Sequence, residues 1–110
     1  SVTRLRLSQL GFGRVELQVP VRAPEAGFYR VDLDLEEAGA FLEFDGKSKY
    51  LDEALRRGKT VAEVLLEEKR REDWIRGVTQ RRFVRVEDAH IQSADALRSR
   101  LAAFGIRPPA

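Results

Sequence analysis

Apolar and polar positions alternate with period two in three stretches of the chain. Val15, Leu17 and Val19 face one way and Glu16 and Gln18 the other, which predicts a half-buried strand over residues 15–19. Pro20, Pro24 and Gly27 mark the loop that follows. Residues 29–35 alternate again, with Val31, Leu33 and Leu35 opposed to Arg30, Asp32 and Asp34. Residues 40–45 set Leu42 and Phe44 against Phe41, Glu43 and Asp45. The turn between these two stretches is short, so they form an antiparallel hairpin.

Elsewhere the spacing is helical. Val2, Leu5 and Leu10 predict a helix over residues 1–10, broken by Gly11 and Gly13. Residues 46–59 read as a polar, basic connection. Thr60 and Glu63 form a capping box that opens a helix running to Arg76, with Gly77 as its C′ residue. Residues 82–86 are strand-like. Ser93 caps a last helix with Ala94, Leu97, Leu101 and Phe104 on one side, stopped by Gly105 and closed by Pro108 and Pro109.

The order α-β-β-β-α-β-α gives an α/β (α+β) fold. The first three strands make a meander. The fourth follows a helical crossover and pairs in parallel with a meander strand, giving a mixed sheet with flanking helices. A length of 110 residues suits one domain, residues 1–110. The chain opens on a helical pattern and has no methionine, so it is expected to be a fragment of a longer protein or a trimmed chain.

Composition narrows the chemistry. Cysteine is absent, which excludes disulfides and thiolate metal sites. His90 is the single histidine, so a multi-histidine zinc site is excluded as well. A metal centre must use oxygen ligands, which favours magnesium, manganese or calcium. No apolar run approaches the length that crosses a bilayer, and no secretory signal opens the chain; a cytoplasmic location without membrane contact is expected. The net charge of +2 adds little to a nucleic-acid reading.

The hairpin carries the candidate site. If Leu33 and Leu35 share an apolar face with Leu42 and Phe44, then Asp32, Asp34, Glu43 and Asp45 gather on the other face. Two like charges about 4 Å apart cost roughly 4 kcal/mol at an effective dielectric of about 20. A bound cation, a shared proton or basic neighbours such as Arg30 must offset that. Asp32, Glu43 and Asp45 are therefore candidate metal ligands. On the helix from Thr60, Glu68 and Glu72 fall within the apolar arc of Val61, Val64, Leu65 and Ile75. Buried carboxylates need partners. Arg85 is one, in an internal pair that locks helix to sheet; the other reading brings Glu68 or Lys69 to the metal cluster. Trp74 lies on the far side, exposed or covering another element, with a missing part of the protein or a stacked base as its candidate partners. The basic run 69–71 is a solvated face or a phosphate contact, and His90 a surface or capping residue.

Arg30-Val31-Asp32, Glu43-Phe44-Asp45-Gly46, Lys49-Tyr50, Glu68-Lys69-Arg70-Arg71-Glu72-Asp73 and Val84-Arg85-Val86 together resemble the restriction-endonuclease-like PD-(D/E)XK superfamily. Within it the chain most resembles very-short-patch-repair-like endonuclease domains, and the C-terminal domain of actinobacterial proteins associated with AbiEi-type antitoxins. The resemblance implies a bacterial magnesium- or manganese-dependent phosphodiesterase acting on DNA. Asp32 matches the aspartate of the second core strand and Glu43 the acidic residue of the third. Asp45 stands where a lysine is usual. Related domains carry a histidine at the position of Lys49, which makes Lys49 the candidate basic catalytic group, with Lys47 and Lys69 as substitutes. The glutamate common in the first helix is absent between Ser1 and Gln9. Lys47, Arg56, Arg57 and Lys59 are the candidate contacts to the nucleic-acid backbone. The alternative is a catalytically inactive nuclease-fold module that binds DNA or a protein partner in an antitoxin-like or defence-related protein.

Overall fold

The computed structural model describes residues 1–45 and 47–109, and of residues 47–50 the backbone alone. Its elements are α1 (Val2–Gln9), β1 (Val15–Arg22), β2 (Phe28–Leu35), β3 (Ala40–Phe44), α2 (Lys47–Arg56), α3 (Val61–Thr79), β4 (Arg82–Val86) and α4 (Ala94–Ala103). Short 3-10 turns lie at Glu36–Ala38 and Asp88–Ile91. The strands form one mixed sheet in the order β1-β2-β3-β4. The first two pairings are antiparallel, and β3 pairs in parallel with β4.

Both faces of the sheet are covered. On one, Leu33, Leu35, Leu42, Val84 and Val86 pack with Leu7 and Leu10 at the α1 end and Leu97 and Leu101 of α4. On the other, Val21, Val31, Phe41 and Phe83 pack against Ile75 of α3. This second cluster is small. Val64 and Ile75 are the buried residues of the 19-residue helix α3, so polar contacts hold much of that helix to the sheet.

Five features depart from the sequence pattern. Strand β1 runs on through Pro20 to Arg22. Proline is tolerated there because β1 is an edge strand and Pro20 need not donate to a ladder. The stretch read as a connection contains α2, whose Ala54 is buried and Leu51 half-buried. Helix α3 passes through Gly77 and ends at Thr79, with Gln80 taking the left-handed cap at φ 55°. Glycine costs a helix about 1 kcal/mol, which this long capped helix absorbs. Trp74 is half-buried, and its indole donates to the Arg22 carbonyl at 2.6 Å, tying α3 to the end of β1.

The fifth departure reshapes the site. Val31 and Leu33, two residues apart, belong to opposite cores, whereas a regular strand would put them on one face. The ladder pairs Leu17 with Leu33 and Val19 with Val31, and the intervening Gln18 has φ 49°. A backbone irregularity at Gln18 and Asp32 therefore breaks the alternation that strict parity assumes.

Candidate nucleic-acid groove and metal ligands

A groove of about 860 Å³ opens between the β2–β3–β4 part of the sheet and helices α2 and α3. Its apolar wall includes Phe44, Leu51, Val64 and Leu65. Its polar lining comprises Arg30, Asp32, Glu43, Asp45, Glu68, Lys69, Arg71, Glu72 and Arg85. Alternation on β3 sends Glu43 toward α3 while Leu42 enters the opposite core. Helical spacing stacks Glu68, Arg71 and Glu72 on the sheet-facing side of α3.

Glu43 is buried, and Arg71 takes both its oxygens, Nη1 to Oε1 at 2.9 Å and Nη2 to Oε2 at 2.5 Å. Nη2 also donates to the Arg30 carbonyl at 2.7 Å, and Nη1 to Glu68 at 3.3 Å. The guanidinium lies 5.8 Å from the centre of the Tyr29 ring. Burial by itself lowers the Arg71 pKa, but the hydrogen bond and charge of Glu43, with the charge of Glu68, outweigh it and raise the value. Arg85 bonds Glu68 through Nη2 and Glu72 through Nε, the latter at 2.9 Å. Burial opposes its charge too, yet the two carboxylates leave its pKa raised. The internal pairing of Glu68 and Glu72 with Arg85 is thus present, extended by Arg71 and by Arg76, which meets Glu72 at 3.1 Å.

Asp32 and Asp34 do not share a role. Asp32 accepts the Phe44 backbone N–H at 3.1 Å and the Gln18 amide at 3.4 Å, so it spans the irregularity in the sheet. Asp34 is buried on the α3 side and binds Arg81 at 2.6 Å. Burial pushes the Asp34 pKa up; Arg81 opposes this and Glu36 adds to it. Among the described residues, the set of three carboxylates whose oxygens come within 4.8 Å of one another is Glu16, Asp34 and Glu36. Cross-strand register sets Glu16 opposite Asp34. That set could hold a metal ion, with Arg81 competing for Asp34. The expected trio Asp32, Glu43 and Asp45 does not close to that spacing, because Asp32 turns to the Phe44 amide and Arg71 draws Glu43 toward α3.

The remaining expected residues separate into three groups. Lys69 lines the groove and is exposed. Arg56 and Arg57 are exposed at the end of α2, outside the groove lining, and Lys59 pairs with Glu67 at 2.7 Å. The side chains of Lys47 and Lys49 lie outside the described residues. His90 accepts the Glu87 backbone N–H at 2.9 Å, a capping role. Sequence reasoning missed Arg71 as the partner of Glu43. Its signal was present in the basic run at 69–71, three residues beyond Glu68.

Comparison with family models, with curated proteins and with solved structures finds no match to this chain.

Proposed function

We propose that this domain is a nuclease-like module of the PD-(D/E)XK type that takes a DNA phosphodiester into the α3 groove with the help of a divalent cation. The observation that carries this reading is convergence. Asp32, Glu43, Asp45, Glu68 and Lys69, drawn from two strands, the end of one and a helix, line one cavity. Among its described ionisable residues, five acids face four bases. A phosphodiester entering alone meets net negative charge; one divalent cation reverses that sign.

The donor set is all oxygen, which suits magnesium or manganese held by one or two carboxylates with waters and phosphate oxygens completing the shell. Asp32 and Glu43 would hold it only once Arg71 gives up Glu43, both of whose oxygens it engages, with Asp45 just past the end of β3. When bound, the cation lowers the pKa of a water and neutralises charge on the phosphate. Arg30 and Lys69 face the nucleic-acid backbone. Lys49 is the assigned basic group on the resemblance alone.

A second reading is favoured by the bidentate Arg71–Glu43 pair: a nuclease-fold module that binds DNA or a protein partner without chemistry. A magnesium-dependent cleavage assay on single-stranded, duplex and mismatched DNA separates the two, with Asp32→Ala and Glu43→Ala as controls. Cleavage lost in both variants is expected. No cleavage, together with no manganese binding by calorimetry, removes the catalytic reading; metal-independent retention of DNA then supports the binder.

A further inference from the structure

We propose that Arg71 is a phosphate-binding residue held in reserve by Glu43: in the free protein its guanidinium fork grips the carboxylate, and an entering phosphodiester takes the fork and releases Glu43. The inference rests on the groove being the nucleic-acid site, but not on cleavage.

The fork geometry supports the exchange. A guanidinium recognises carboxylate and phosphate by the same pair of parallel N–H···O bonds, and Arg71 makes that pair with Glu43. The Arg30 carbonyl and the Tyr29 ring hold the guanidinium in place independently of Glu43. The Arg71 side chain is 18% exposed while that of Glu43 is 9% exposed, so the cation is the more solvent-accessible member of the pair. Arg30 and Lys69 line the same groove, are exposed, and have no side-chain partner among the described residues. A phosphate at Arg71 therefore enters a groove that those two cations also line, with Glu68, 3.3 Å from Arg71 Nη1, as the remaining acid beside the fork. The exchange leaves Glu43 as a buried carboxylate in need of a new cation. It thereby makes substrate and divalent cation favour each other's binding.

The test is metal-free. Binding of a fluorescent single-stranded oligonucleotide is measured by anisotropy in EDTA, with folding of every variant checked by thermal melting. Glu43→Gln keeps the shape but removes the competing charge. It is expected to tighten binding about tenfold, the scale of one charge-assisted contact. Asp45→Asn removes a charge from the same groove that does not hold Arg71, and is expected to change binding far less. Adding Arg71→Gln to Glu43→Gln is expected to abolish the gain, and Arg71→Lys, which keeps charge but not the fork, to lose most of it. An equal gain in Asp45→Asn, a gain that survives Arg71→Gln, or no oligonucleotide binding by either wild type or Glu43→Gln overturns the proposal. A domain that shows the gain but never cleaves DNA loses its catalytic assignment and keeps this one.

Discussion

Ile75→Ala tests whether the small α3-side core is what keeps the groove assembled. Ile75 is fully buried and is the contribution of α3 to a cluster with Val21, Val31, Phe41 and Phe83. The substitution removes three carbons, worth about 2.4 kcal/mol at roughly 0.8 kcal/mol each. A residual cavity of about 60 Å³ adds about 1.4 kcal/mol, for a total near 4 kcal/mol. That is a large fraction of the stability of a domain this size, on the order of 5–15 kcal/mol. The loss should be uneven. The cluster of α1 and α4 on the other sheet face does not include Ile75, so α3 should open first. Urea unfolding gives the magnitude, and amide exchange gives the location, with Leu101→Ala in the other core as reference. The reasoning fails if Ile75→Ala costs under about 1 kcal/mol and leaves α3 protection unchanged. In that case the ion pairs from Arg71, Arg81 and Arg85 hold the helix without the apolar contact.

Two further outcomes follow from the charges. Arg85→Leu leaves Glu68 and Glu72 a turn apart and about a quarter exposed. Orphaning a buried partner costs about 3–5 kcal/mol and an exposed one under about 1 kcal/mol, so with Arg71 and Arg76 still present the expected loss is about 2 kcal/mol by urea unfolding. Adding Glu68→Gln and Glu72→Gln should recover most of it; a single variant as stable as wild type refutes the view that Arg85 holds α3. For Asp34 the folded pKa is raised by burial against Arg81. Its contribution to stability is therefore full below the ordinary aspartate pKa and is lost as pH rises through the raised folded value. Asp34→Asn should accordingly gain stability relative to wild type from about pH 3 to about pH 7 in thermal melts. A relative loss over that range would show that the Arg81 pair dominates instead.

Local rules made much of this domain legible. The caps read at Thr60 and Ser93 accept their expected backbone N–H groups, because a cap depends on residues three apart; Ser1 caps α1 in the same way. Strand β4 and the alternation on β3 were readable for the same reason; the pairing of Glu68 and Glu72 with Arg85, 17 and 13 residues away, was legible only as one of two readings, because carboxylates on an apolar arc need a cation. Helix α2 was not, since the polar residues around Leu51, Ala54 and Leu55 masked a helical spacing that gains its stability from lying against α3. Nor was the end of α3: Gly77 signals a stop, but contacts on either side of it carry the helix to Thr79.

The acidic hairpin shows where sequence ends and structure begins. Period-two alternation correctly sent Glu43 to the α3 face, where it has a charged partner. It failed at Val31, because one irregular position at Asp32, with Gln18 at φ 49° across from it, moves Val31 and Leu33 into different cores. No local pattern encodes that break; it is set by the need of both sheet faces to bury apolar side chains at once. The identity of the cation on Glu43 was equally out of reach. Arg71 is 28 residues away, and only the crossover of α3 over a parallel β3–β4 pair brings its guanidinium onto that carboxylate.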